Sequence, residues 1–341
     1  MLTVADVIAH CLYPQPLWFP QAFDPARDRV LMVRLDECDY RAAPFLDKRG
    51  VKRGMPATIA PYALLAAHTP ADARRDAHWI FHISHVGSTL ISRLLGEIPG
   101  VFALREPPVL RAMPAMGDAE AAARLPVLRA LLSRVFDPQQ RAMVKASSWI
   151  SEHAAALIGP AHDGGQAVLV GMAPERFIAA RLAGGRQGLR IRVAERLARL
   201  ARRVPALDQA AATSDDARLA AMIWAVESCA LEAAALVVAQ ERLRFVDFDL
   251  FITDPAAGLH ALTRHFGLSA TTRDIAVIAE GPLISHYSKS SGRAFDLSER
   301  ERAIKVGLAD HRTEITAAIG WLEATAATTP LLAAALDRYA A

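Results

Sequence analysis

The stretch that most constrains this chain is AHWIFHISHVGSTLISRLLGEIPG, residues 77–100. Residues 77–84 are short, apolar and rich in β-branched and aromatic side chains, the composition of a buried strand. Gly87, Ser88 and Thr89 follow, and from there the apolar spacing is helical. A strand, a tight loop and a helix start form the layout of an anion-holding loop. The first amides of a helix have no internal acceptor and carry partial positive charge, and small residues let an oxyanion approach them. Set against the pattern G-x-x-x-x-G-K-[ST], the matching positions are His82, Gly87, Ser88 and Thr89. Ser88 stands where that pattern has its lysine, and His82 where it has its first glycine. The lysine reaches the terminal phosphates and the next hydroxyl ligates magnesium, so its loss disfavours nucleoside triphosphate chemistry. The plain alternative is that residues 85–89 only begin and cap a helix.

Further strands are predicted at 28–35, 141–148, 165–172 and 243–249. Helices are predicted at 88–97, 120–136 (with Pro126 as an interruption), 149–158, 174–183, 190–204, 213–241 and 254–268. The long helix at 213–241 has Thr213 or Ser214 placed to cap it and Asp215 and Asp216 in its first turn. Residues 1–75 read as a helical lead-in or cap on a core of 76–341. Strands alternating with helices predict a parallel sheet covered on both faces, with its site beyond the carboxyl ends of the strands. The loops after 77–84, 141–147, 166–172 and 243–247 are therefore expected to hold that site. At 341 residues and 52% apolar, the chain has ample material for a buried core and is not of disordered composition. A net charge of +3 gives no case for nucleic acid as a partner. Cys11, Cys38 and Cys229 are too far apart for a metal or disulfide framework. The first residues lack a basic region ahead of an apolar core, and 220–240 contains Glu227 and Glu232, so neither reads as a signal or a membrane span. A cytoplasmic protein is expected.

The segment HVGST at 85–89, followed by LISRLL, resembles the [KR]-[SC]-G-[ST]-[ST] turn of sulfotransferases that use 3′-phosphoadenosine 5′-phosphosulfate (PAPS). Three later segments are similar to the same family in the same order. LREPPVL (104–110) resembles an acidic segment after the first helix. MVKAS (143–147) falls where cytosolic members have K-T-H. LRFVDFDLFITDP with LTRHFGL, within 243–268, resembles a late segment. The resemblance implies an α/β, three-layer fold of the phosphate-loop type, with a mostly parallel central sheet flanked by helices. It implies transfer of a sulfonate from a PAPS donor to a hydroxyl or amine of a small-molecule or macromolecular acceptor, without a metal. On this reading His85, Val86, Gly87, Ser88, Thr89 and Leu90 hold the phosphosulfate, and His85 replaces the family's Lys or Arg as a donor or cation. Glu106 is the candidate base, because the K-T-H histidine is Ser147 here, and Lys145 stabilises charge. The competing readings are an ion pair of Glu106 with Arg105 or Arg111, a lysine at a strand edge, and a histidine that only packs. His82 reads as structural.

The chain also departs from the family. Its 3′-phosphate is usually held by R-x-P and a serine six residues after the proline, where this chain has Met172 and Ala180. Arg176 and Arg181 lie nearby but read as solvated helix arginines. Lys289, Ser290, Ser291, Gly292 and Arg293 form a substitute phosphate loop, or else an ordinary polar one. Trp224 and Glu227 share a helix face and read as core with a buried hydrogen bond. Asp247 and Asp249 read as loop anchors, and 190–204 as a solvated basic face. Two other classes stay open: a nucleotide-dependent kinase or hydrolase with a degraded loop, and a non-catalytic nucleotide binder that has lost the 3′-phosphate site.

Overall fold

The computed structural model describes residues 15–47, 49–51, 54–183, 189, 215–285 and 297–340. The lead-in, expected to be helical, is instead built mainly on an antiparallel sheet of β1 (Trp18–Asp24), β2 (Arg29–Arg34) and β3 (Ala57–Pro61). Only β2 was visible in the sequence. Pro20 and the polar residues beside it mask β1. It tolerates a proline because it is an edge strand, and its register slips between Pro20 and Ala22. Asp24 and Asp28 make the turn into β2: the Asp24 carboxylate accepts the Arg27 amide, and Asp28 takes a left-handed φ of 48°. The short helix Glu37–Ala42 follows, started by a reciprocal capping box between Asp36 and Asp39.

This layer is fastened to the rest by buried polar groups. Arg134 donates to the carbonyls of Trp18 (2.7 Å) and Gln15 (3.3 Å), and the Tyr40 hydroxyl donates to Pro16 (2.7 Å). The Tyr40 ring packs edge-on against Phe19, Phe102 and Phe136, which joins both layers in one apolar core.

The central sheet contains β4 (His78–His82), β5 (Val101–Arg105), β6 (Arg141–Lys145), β7 (Ala167–Gly171) and β8 (Leu243–Asp247). Its order is β5-β6-β4-β7-β8, and every neighbouring pair is parallel. β4 and β7 are buried at every position, as strands covered on both faces must be, and this is why β7 reads as an unbroken apolar run and β4 as an apolar centre, Trp79, Ile80 and Phe81, between two histidines. The chain leaves β4 for the edge strand β5, returns to place β6 between them, and then crosses to the other side of β4 for β7. The carboxyl end of β4 is therefore a switch point, where a crevice opens between diverging connections.

Six helices are used below: α1 (Ser88–Gly96), α2 (Asp118–Leu132), α3 (Pro174–Ala183), α4 (Asp216–Ala235), α5 (Phe248–Thr253) and α6 (Leu297–Asp310). α2 runs through Pro126 without a break, because Val127, Leu128, Leu131 and Leu132 beyond it are buried and their packing outweighs one lost internal bond. The cap of α4 is Asp215, which accepts the Arg218 amide at 2.7 Å; Thr213 and Ser214 lie outside the described residues. α4 is buried around most of its circumference, and Trp224, fully buried, donates its indole N–H to the Met172 carbonyl at 2.9 Å. Among the described residues no helix is long and apolar enough to cross a membrane.

Trp224→Phe keeps an aromatic ring but leaves the Met172 carbonyl buried without its donor. The expected cost is about 1–3 kcal/mol. Urea unfolding should show a lower midpoint with an unchanged slope.

Candidate functional site

The loop after β4 is held from below by His82. The Ser84 amide lies 3.0 Å from Nδ1, and the Ala146 carbonyl lies 3.0 Å from Nε2. An amide only donates, so Nδ1 accepts, and Nε2 carries the proton it gives to Ala146. One neutral imidazole thus ties the loop after β4 to the loop after β6. Ser84 and His85 then adopt left-handed φ values of 69° and 53°, which is costly for residues other than glycine. Among the described residues four non-glycines do so, and three of them (Ser84, His85 and Glu106) lie just past the carboxyl ends of β4 and β5. Gly87 (φ 66°) is required twice over: a Cβ there would be strained, and it would fall 1.9 Å from the Phe248 ring.

α1 starts at Ser88 with no side chain capping it. The Leu90 amide donates to the Gly87 carbonyl at 2.8 Å, so it is not available to a ligand, contrary to expectation. Among the described residues no acceptor takes the amide hydrogens of Gly87, Ser88 or Thr89. The side chains of Val86, Ser88 and Thr89 are buried.

On the other side of β4, the parallel register sets Arg105 opposite Lys145. The Glu106 amide donates to the Lys145 carbonyl at 2.7 Å and extends the ladder by one bond. At φ 55° Glu106 turns its side chain back, so that Oε1 lies 2.5 Å from the Lys145 Nζ. Lys145 is only 1% exposed, and this carboxylate answers the burial cost of its ammonium. The other carboxylate oxygen faces Arg49 at 3.3 Å and Arg111 at 4.0 Å. Asp47 bridges the same two guanidinium groups at 2.7 and 3.0 Å, and Arg49 lies over the Phe45 ring. Of the two partners that the competing ion-pair reading offered Glu106, Arg111 is the one that faces it, while Arg105 donates instead to the Ala43 carbonyl at 3.0 Å. Asp47 and Arg49 were not found in the sequence, because their link to Glu106 is entirely long-range.

Burial alone pushes the Glu106 carboxyl up, but the Lys145 ammonium, with Arg49 and Arg111, outweighs it and holds the group below the ordinary carboxylate value. Burial pulls the Lys145 ammonium below the ordinary lysine value, and Glu106 opposes this only in part. For Asp47 burial again pushes up, and the Arg49 and Arg111 hydrogen bonds bring the carboxyl down to about 2. The cluster sets three cations against two carboxylates.

On the β7 and β8 side, Met172 is fully buried and Ala180 is half-buried, so the positions expected to hold a 3′-phosphate are apolar. Neither Arg176 nor Arg181 is solvated as expected. Arg176 reaches Asp249 at 2.6 Å and also pairs with Glu301, tying α3 to α5 and α6. Arg300 of α6 joins Asp249 at 2.6 Å and lies over the Phe248 ring. Asp247 accepts the amides of Asp249 and Leu250 and so caps α5. Arg181 is 7% exposed, and its Nη1 lies 2.7 Å from the Nε2 of His85. Lys289, Ser290, Ser291, Gly292, Arg293 and the segment 190–204 lie outside the described residues. Among the described residues no group of three or more His, Cys, Asp or Glu is placed to hold a metal ion.

No known protein-family profile and no curated protein matches this chain. Among solved structures it is similar to the sulfotransferase domain from the curacin biosynthetic pathway, at 11% identity and a TM-score of 0.43, covering 69% of this chain and 97% of that one. It is also similar to a sulfotransferase from Alicyclobacillus acidocaldarius, at 12% identity and a TM-score of 0.35, covering 72% and 96%. A third is sulfotransferase STF1 from Mycobacterium tuberculosis H37Rv, at 13% identity and a TM-score of 0.38, covering 69% and 75%. Overlaps this loose assign no chemistry to the chain, and the functional reading rests on its own site.

Glu106→Gln leaves the Lys145 ammonium buried without a carboxylate. The expected destabilisation is about 3–5 kcal/mol, and Glu106→Gln/Lys145→Met should recover most of it in denaturant titrations. The Asp47 carboxyl is lower in the folded state than in the unfolded one, so its contribution is complete at neutral pH. It should be lost as pH falls from its ordinary 3.8 through about 2. Melting temperature followed over that range should drop, and Asp47→Asn should flatten the drop.

Proposed function

We propose that this chain transfers a sulfonate group from a PAPS-type donor to a hydroxyl or amine acceptor. The observation that carries this reading is the pairing of a strained, capless loop at the carboxyl end of β4 with the buried Lys145–Glu106 pair at the ends of β5 and β6. The loop suits the phosphosulfate end of such a donor, since the amides of Gly87, Ser88 and Thr89 have no protein acceptor among the described residues. The positions of Met172 and Ala180 do not suit a 3′-phosphate.

Sulfonyl transfer resembles phosphoryl transfer in depending on position and on donors for charge that grows in the transition state. At rest, Glu106 is a poor base, because Lys145 stabilises its ionised form. When the ammonium of Lys145 turns to negative charge developing beside the loop, Glu106 loses its strongest partner and its proton affinity rises. The carboxylate then takes the proton from the acceptor's O–H or N–H as that oxygen or nitrogen bonds to sulfur, while the bond between sulfur and the donor's phosphate oxygen breaks and the nucleotide phosphate leaves with the electron pair. The same pair that keeps the buried lysine charged thus times the appearance of the base.

The apolar setting of Met172 and Ala180 also supports a second reading, a nucleotide binder without transfer activity. Thermal-shift titrations with PAPS, adenosine 3′,5′-bisphosphate, adenosine 5′-phosphosulfate and ATP–magnesium separate the readings. The phosphosulfate nucleotides should stabilise the protein by about 2.7 kcal/mol at a hundredfold excess over Kd, and ATP–magnesium should not. Lys145→Met should lower turnover by about 10²–10³. Stabilisation by ATP–magnesium alone would overturn the proposal, and binding with no transfer to any hydroxyl or amine would leave the binder.

A further inference from the structure

Resting on the sulfonate-transfer reading, we infer that Arg49 and Arg111 form a subsite for an anionic group on the acceptor. The hydroxyl or amine that is sulfonated then belongs to a molecule that also carries a carboxylate or phosphate. Both guanidinium groups lie beside the candidate base, with their Nη2 atoms 3.3 Å and 4.0 Å from Oε2 of Glu106. Arg49 comes from the segment between the helix Glu37–Ala42 and β3, and Arg111 from the 3₁₀ stretch Pro108–Ala115 just after Glu106. β5, which leads into Glu106, is the edge strand of the sheet and is separated from β4 by β6. The pair is thus set apart from the loop after β4, which suits the donor.

Charge and donors are both left over here. Lys145, Arg49 and Arg111 face only Glu106 and Asp47, so the cluster carries one positive charge more than it answers. Lys145 is buried, and the surplus reaches water through the side chains of Arg49 and Arg111, which are 47% and 46% exposed. The bonds to Asp47 and Glu106 use Nε and Nη2 of Arg49 and Nη2 of Arg111. Among the described residues, Nη1 of Arg49 and both Nε and Nη1 of Arg111 have no acceptor. A guanidinium is a rigid fork whose paired donors match the two oxygens of a carboxylate or phosphate. Arg49 lies over the Phe45 ring, 3.6 Å from its centroid, and is bonded twice to Asp47, so it is ordered before any ligand arrives. An anion held by this pair takes guanidinium charge away from Glu106. The carboxylate then gains proton affinity as the acceptor's O–H or N–H is brought to it, so a charged acceptor helps to activate its own base.

Calorimetric titration of the full chain, with adenosine 3′,5′-bisphosphate present to occupy the loop after β4, tests this with two probe pairs. Each pair differs in one anionic group: glycerol 3-phosphate against glycerol, and 3-hydroxybutyrate against 3-hydroxybutyramide. Wild type should bind the anionic member of each pair about tenfold or more tighter than the neutral one, the worth of one hydrogen bond to a charged group. Arg49→Met and Arg111→Met should each lose most of that preference, yet bind the bisphosphate within about twofold of wild type, since the two sites are separate. Asp47→Asn removes a carboxylate that competes for the same guanidinium groups, so it should tighten binding of the anionic probes. A purely structural role for the pair predicts the opposite sign, because Asp47 then only holds the arginines in place. Equal binding of charged and neutral probes by wild type, no binding of either anionic probe, or a preference kept by both arginine variants would overturn the inference alone. A wild type that binds no bisphosphate would instead remove the sulfonate-transfer reading and this inference with it. Melting temperatures accompany each variant, and if Arg49→Met does not fold, Arg49→Gln takes its place.

Discussion

The site depends on a lysine that is almost wholly out of water. At 1% exposure, Lys145 keeps its ammonium only if a counter-charge comes to it, and Glu106 does so at 2.5 Å. To get there Glu106 adopts a left-handed φ of 55°, and the Lys145 carbonyl holds its amide in that conformation. The same carboxylate faces Arg49 and Arg111, whose charges are in turn answered by Asp47. One buried charge thus orders the end of β5, the turn after it, and a segment of the antiparallel layer nearly a hundred residues away along the chain.

The anion loop is coupled to this arrangement through His82, whose ring hydrogen-bonds both Ser84 and Ala146. Ala146 directly follows Lys145, so the loop that would grip an oxyanion and the residue that would stabilise charge are braced by one imidazole. On the opposite flank, Phe248 packs against Gly87 and is itself held in place by α5, whose Asp249 gathers Arg176 and Arg300. The strained residues are over-determined from both sides, the condition under which such conformations persist.

How much of this was legible depended on the range of the forces involved. β4, β7 and α3 stand out in the sequence because burial on both faces, or a proline at the first helical turn, leaves a local imprint. β5 is five residues between two turns and carries too little pattern to be seen, and β1 is disguised by Pro20. Glu106 and Lys145 were each nominated for the site, but their contact comes from the parallel pairing of β5 with β6. Asp47 and Arg49 had no such nomination, since nothing near them in sequence hints at a partner more than fifty positions away. Arg176 and Arg181 were misread as solvated because a helix shows which face is charged, not what is packed against that face.

The amino-acid sequence by itself determined the alternation that makes a parallel sheet, the glycine that the loop requires, and the residue types available for anion binding and proton transfer. These follow from backbone propensity and from apolar periodicity, which act over a few residues. The tertiary structure alone decided which charges meet: Lys145 with Glu106, Arg49 with both Asp47 and Glu106, Arg181 with His85. Such contacts depend on strand order and register, and no local stretch of sequence carries that information. The charge state of the Glu106 carboxyl, held ionised by Lys145 and its neighbours, and therefore the chemistry it supports, exists only in the folded chain.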